Sequence, residues 1–260
     1  MADIKHRHAK PAAETSEIAA TESYSNPSGY AARMPLAYFV LWPDFLRSLQ
    51  EKARVHFLRV FTHTAPPPLQ IACLGDSIVH GGCDGAAGGW VQRLRLHVWG
   101  VGQGDHIFNL GIGGDTSRDI LGRLRDDLRS RLGHVDHVLI SCGTNDILHG
   151  KKATSEAEYA DNLQAMAAQI REFGKQGMMC TMTPWNPASP DISPAQWARR
   201  TRTNDLVRAL CASTGFRCID LAEAFHPDDL VDSVHPGPAG HAAICQVVVD
   251  RFLAEGLLRA

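Results

Sequence analysis

From Leu69 onward, short apolar runs alternate with longer stretches in which apolar residues recur every three to four positions. The short runs, at 69–74, 106–110, 136–141, 177–182 and 216–220, lack strict alternation of apolar and polar residues. That pattern predicts strands covered on both faces. Between them lie helix-start signals. Thr116 with Asp119 forms a capping-box pattern ahead of Ile120, Leu121, Leu124 and Leu128. Ser155 with Glu158 does the same ahead of Tyr159, Leu163, Met166 and Ile170. Ser193 precedes a proline at the first helical position, and Pro238 opens a last helix carrying Ile244, Val248 and Phe252. The Arg/Asp run from Arg118 to Arg131 reads as the solvated face of its helix. Five such units predict an α/β fold of three layers, α/β/α, around a five-stranded parallel sheet with right-handed crossovers.

The pattern is different before Leu69. Residues 1–34 are rich in Ala, Ser, Thr, Glu and Pro without periodicity, and a disordered tail is expected there. Residues 35–68 form an extension. Within it, 44–62 look helical, with Asp44 as N-cap and Phe45, Leu49, Ala53, Phe57 and Val60 on one face. Lys52, Arg54 and Arg59 lie among them, so packing on the domain and contact with a membrane surface through 35–62 are both open. Pro66, Pro67 and Pro68 make a stiff spacer, and the main domain spans 69–260.

Composition narrows the function classes. A net charge of −2 with 21% charged residues gives no electrostatic footprint for nucleic acid. Seven cysteines without zinc-ligand spacing give no reason to expect a metal. Cys73, Cys142, Cys180 and Cys218 sit in or beside apolar runs as small hydrophobes, and the odd count favours a reducing compartment. The most apolar run, Leu36 to Trp42, is too short to span a bilayer, and the first residues lack a signal-peptide core. Cytoplasm is the default expectation.

In parallel sheets, ligands bind beyond the carboxyl ends of the strands. Those positions here hold Gly75-Asp76-Ser77, Gly111-Ile112-Gly113-Gly114-Asp115-Thr116, Cys142-Gly143-Thr144-Asn145-Asp146, Thr183-Pro184-Trp185-Asn186-Pro187 and Asp232-Ser233-Val234-His235-Pro236. Together they contain what acyl transfer needs. Ser77 is a nucleophile once a neutral imidazole accepts its proton, and His235 is the candidate base. Asp232, three residues earlier, would fix the tautomer of that ring. An oxyanion needs preorganised donors, available as the backbone N–H of Ser77 and of Gly114 and the side-chain amide of Asn145. Trp185 reads either as a wall of the substrate pocket or as an anchor for its loop.

These four blocks, Gly75-Asp76-Ser77, Gly113-Gly114-Asp115-Thr116, Gly143-Thr144-Asn145-Asp146 and Asp232-Ser233-Val234-His235, resemble those of the SGNH hydrolases, or GDSL-type esterases and lipases, in the family's order. The resemblance covers about 69–256. It implies a flavodoxin-like sheet, a serine esterase acting on a small-molecule ester without a cofactor, and the roles just described for Ser77, His235, Asp232, Gly114 and Asn145. It leaves residues 1–65 unexplained.

Rival motifs fit less well. The strand–Gly-rich–helix segment at 111–116 ends in Thr116, where a dinucleotide fingerprint needs Gly or Ala. Val79 stands where a Gly-x-Ser-x-Gly elbow needs its last glycine. Two alternatives to ester hydrolysis stay open at this stage: acyl transfer to an alcohol or sugar by the same triad, and a catalytically silent binding module. His80, His149, His226 and His241 lie near the site loops and are expected to solvate them.

Overall fold

Gln70–Gly75 (β1), His106–Gly111 (β2), His137–Ser141 (β3), Gln176–Cys180 (β4) and Arg217–Ile219 (β5) pair in parallel, ordered β2-β1-β3-β4-β5, in the computed structural model, which describes residues 68–101 and 106–258. The expected tail over 1–34 and the helix over 44–62 lie outside the described residues. Helices are Ser77–His80 (α1), Gly89–Gly100 (α2), Ser117–Arg129 (α3), Thr144–Leu148 (α4), Glu156–Glu172 (α5), Pro194–Thr214 (α6) and Pro238–Ala254 (α7).

Successive strand residues point to opposite faces, and the strands are apolar on both, so two cores form. Ile71, Cys73, Leu139, Met178 and Ile219 pack against Trp90, Leu94 and Val98 of α2 and Ile244, Val248 and Phe252 of α7. Ala72, Leu74, Val138, Ile140 and Met179 pack against Ile120, Leu124 and Leu128 of α3, Leu163, Met166 and Ile170 of α5, and Val207 of α6. These are the three layers the pattern predicted. The chain leaves β1 in one direction through α2 to β2, then returns through α3 to β3 on the other side. The carboxyl ends of β1 and β3 therefore flank the point where the winding reverses, the usual crevice of such sheets.

The predicted helix starts are present. Thr116 and Asp119 form a reciprocal capping box, as do Ser193 and Gln196. Ser155 accepts from the Glu158 N–H at 3.1 Å, but the Glu158 carboxylate reaches across to Arg118 at 2.5 Å. Tertiary pairing took half of that box. The Gly-rich segment after Ser77 begins as a helical turn and ends as the start of α2. Asp84 pins it: the carboxylate is buried, accepts from the Gly89 N–H at 3.2 Å and is paired with Arg93 at 3.1 Å.

All seven cysteines are free thiols; Cys73, Cys142 and Cys180 are buried as expected, and Cys218 is half-buried. Among the described residues, no helix is long and apolar enough to cross a membrane.

Candidate active site

The first strand ends at a glycine for a steric reason. A Cβ on Gly75 would stand 2.3 Å from the Ser141 carbonyl oxygen of β3 and 2.3 Å from Val79 Cγ2. Only with hydrogen there do β1 and β3 close up while the chain turns directly into α1. Asp76 then caps α1, its Oδ1 accepting from the Ile78 N–H at 2.9 Å. Burial raises that carboxyl from 3.8 to about 6, although the Ile78 N–H and the nearby His235 pull the other way. Ser77 follows as the first helical residue, half-buried at the carboxyl end of β1.

Ser77 Oγ lies 2.8 Å from His235 Nε2, and His235 Nδ1 lies 2.7 Å from Asp232 Oδ2. With Asp232 ionised, Nδ1 carries the proton and donates, which leaves Nε2 as the acceptor for the serine hydroxyl. Asp232 also shapes its own turn, since Oδ1 accepts from the Val234 N–H at 2.8 Å and the His235 N–H at 2.7 Å. Partial burial would raise the Asp232 carboxyl, but those two N–H groups and the His235 ring hold it below the ordinary range. The spacing of three lets one carboxylate fix backbone and ring together.

Neighbouring segments brace this turn. The Asn186 N–H donates to the Ser233 carbonyl at 2.9 Å, and Ser189 Oγ lies 2.7 Å from Ser233 Oγ. His241, one turn into α7, is fully buried, and its Nε2 donates to the Gly82 carbonyl at 2.9 Å. It therefore ties α7, which follows His235, to the turn that follows Ser77. The expectation that His241 solvates a loop does not hold, because both of its neighbouring segments close over it. His80, His149 and His226 are exposed.

Gly114 has φ +83°, the left-handed region, which turns its loop beside Ser77. Asn145 Nδ2 donates one hydrogen to the Asp115 carbonyl at 2.9 Å and keeps a second free. That bond joins the Gly114 loop to α4. A second junction lies beneath it. Asp146 is fully buried and accepts from the Ser117 N–H at 2.9 Å, from Ser117 Oγ at 2.5 Å and from Thr154 Oγ1 at 2.8 Å. Asn162 Nδ2 donates to Ser117 Oγ at 2.9 Å. Asp146 thus holds the two loops that carry Gly114 and Asn145 in fixed relation. Arg123 adds a third tie, donating to the carbonyls of Gly75 (3.2 Å) and Leu110 (2.8 Å) and pairing with Asp115 at 2.8 Å. Sequence reasoning named neither Ser117, Arg123 nor the partners of Asp146. The one local signal was a charged residue directly after Asn145.

Trp185 is 1% exposed. Its ring meets Trp197 edge-on at 5.7 Å, the Arg200 guanidinium lies 5.7 Å from its centroid, and it packs in an apolar group with Met182 and Ile192. It anchors the loop beneath the site, and its ring offers substrate no exposed face. Arg200 is also buried, donating to the carbonyls of Met182, Thr183 and Ala222. Among the described residues, no group of His, Cys, Asp and Glu is arranged to hold a metal ion.

A model of the GDSL-like lipase/acylhydrolase family matches residues 73–243, about two thirds of the chain. The chain belongs to that family. A search of curated proteins finds no match. Among solved structures, this GDSL-like chain is similar to Axe2, an acetylxylan esterase from Geobacillus stearothermophilus, with a TM-score of 0.62 at 20% identity over 72% of this chain and 95% of Axe2. It is also similar to LAE5, an α/β hydrolase enzyme from the metagenome of Lake Arreo, Spain, with a TM-score of 0.60 at 26% identity over 75% of this chain and 98% of LAE5. Axe2 has been solved as catalytic mutants with Ala replacing a Ser, an Asp and a His, the last two three positions apart.

Proposed function

We propose that the protein hydrolyses carboxylic esters through an acyl-Ser77 intermediate. One observation carries this: a continuous hydrogen-bond chain runs from Ser77 Oγ through the His235 ring to Asp232, at 2.8 Å and 2.7 Å, across 158 positions of sequence. His235 Nε2 takes the hydroxyl proton as Ser77 Oγ attacks the ester carbon. The oxyanion that forms is held by the Ser77 and Gly114 N–H groups and the second hydrogen of Asn145 Nδ2. The imidazolium, stabilised by Asp232, then passes its proton to the departing alkoxide. Water, deprotonated by His235 in turn, attacks the acyl carbon and releases the carboxylic acid and Ser77.

Ser77 and His235 are half-buried and Asp232 is exposed, so water can reach the acyl-enzyme and complete hydrolysis. Acetyl esters are the first substrates to try, since Axe2 is described as an acetylxylan esterase. The test is an aryl-ester chain-length series with Ser77→Ala and His235→Ala as controls, together with fluorophosphonate labelling. Each variant should lose on the order of 10⁴-fold in kcat/KM, and label should sit on Ser77. Full activity in Ser77→Ala would refute the proposal.

A further inference from the structure

Three imidazoles lie near Ser77 and the loop that carries Gly114, and two are engaged. His235 is bonded to Ser77 and Asp232, and His80 Nδ1 lies 3.3 Å from the Gly111 carbonyl. The third, His149, is exposed, and its ring forms no hydrogen bond among the described residues. Two independent observations place it. A Cβ on Gly114 would lie 3.4 Å from His149 Nε2 and 3.8 Å from Cδ2, so the ring edge faces the oxyanion-hole glycine. The His149 N–H donates to the Asn145 carbonyl at 3.0 Å, and four positions on a helical turn put the two side chains on one face. A free imidazole nitrogen thus stands at the lip of the hole, beside both Gly114 and Asn145.

We infer that His149 is a specificity residue that hydrogen-bonds a hydroxyl of the substrate next to the ester, so that the site selects monoesters of vicinal diols and polyols over simple alkyl esters. The inference rests on the esterase reading. An ester with its carbonyl oxygen in the hole holds its alkoxy carbons alongside, and a hydroxyl on the carbon next to the ester oxygen is within reach of a side chain on the lip. An imidazole serves such a hydroxyl as donor or acceptor, whichever tautomer is present. A plain alkyl chain would instead cover a polar nitrogen and leave it unpaired, which is how a polar site rejects the analogue lacking the hydroxyl.

The probes are cyclohexyl acetate and trans-2-hydroxycyclohexyl acetate, which differ by one vicinal hydroxyl. The wild-type protein should prefer the hydroxylated ester by roughly 5- to 10-fold in kcat/KM, the worth of one net hydrogen bond. His149→Phe should bring that ratio close to one, while His149→Gln, which keeps a donor and an acceptor, should retain part of it. No preference in the wild type, an unchanged ratio in both variants, or an equal fall on both esters would each overturn the inference. A wild-type protein inactive on both esters and unlabelled by fluorophosphonate overturns the esterase reading, and the specificity with it.

Discussion

Asp76 sits beside Ser77, buried, with its ionisation opposed by the fold. In the unfolded chain its carboxyl titrates near 3.8; in the folded protein burial raises this to about 6. Below pH 3.8 the group is protonated in both states and has no effect on stability. As pH rises further, the unfolded chain releases the proton while the folded chain keeps it. Above about 6 both are ionised and the full cost of burying the charge is felt. The interval from 3.8 to about 6 corresponds to about 3 kcal/mol. Asp76→Asn keeps an oxygen for the Ile78 N–H and removes the ionisation. Relative to wild type, the variant should therefore gain about 3 kcal/mol between pH 3 and pH 8, read from urea unfolding at each pH. Only the difference between the two proteins isolates this effect. His137 works in the opposite direction: burial, aided by Arg217, lowers its ring to about 4, and both of its nitrogens are buried without a partner. That group gives stability back as pH rises from 4 to 6.5, so the two contributions nearly cancel in the wild type. Parallel stability–pH curves for wild type and Asp76→Asn would refute the reasoning.

Other outcomes follow from the same geometry. Asn145→Ala should lower kcat by about 10²- to 10³-fold with KM little changed, since it removes an oxyanion donor. Asp146→Ala leaves the buried Ser117 N–H and Thr154 hydroxyl unpaired; a loss of about 1–3 kcal/mol in unfolding free energy is expected, with kcat falling more than KM rises. Its effect on kcat should shrink when introduced into Asn145→Ala, because both act on the same transition-state oxygen. Gly75→Ala drives a methyl group into the Ser141 carbonyl and should destabilise by on the order of 3 kcal/mol, seen as a lowered thermal midpoint.

Much of the fold was legible because strands buried on both faces and capped helices leave local marks. The apolar runs at 69–74 and 136–141 became β1 and β3, and Thr116, Ser193 and Pro238 mark helix starts. Helix α2 leaves no such mark. Its buried stripe of Trp90, Val91, Leu94 and Val98 follows Gly88-Gly89, which local reasoning assigns to a loop. Trp185 shows the same limit at a single side chain, since its two Pro-flanked roles differ only in burial, and burial depends on Trp197 and Arg200 twelve and fifteen positions away.

By itself the sequence determined the fold class, and it set Ser77, Gly114, Asn145, Asp232 and His235 at the ends of strands or just before the last helix. Those choices rest on interactions within a few residues: a cap, a turn, a glycine that permits positive φ. The tertiary structure decided what those groups do to one another. It brought Ser77 to His235 across 158 positions, joined the loops of Gly114 and Asn145 through Asp146 and Ser117 across 29, and placed His149 against Gly114. Such pairings depend on strand order and on the closeness of β1 to β3, which no local pattern encodes. A buried carboxylate or imidazole is neutral or charged, engaged or free, only according to what the rest of the chain packs around it.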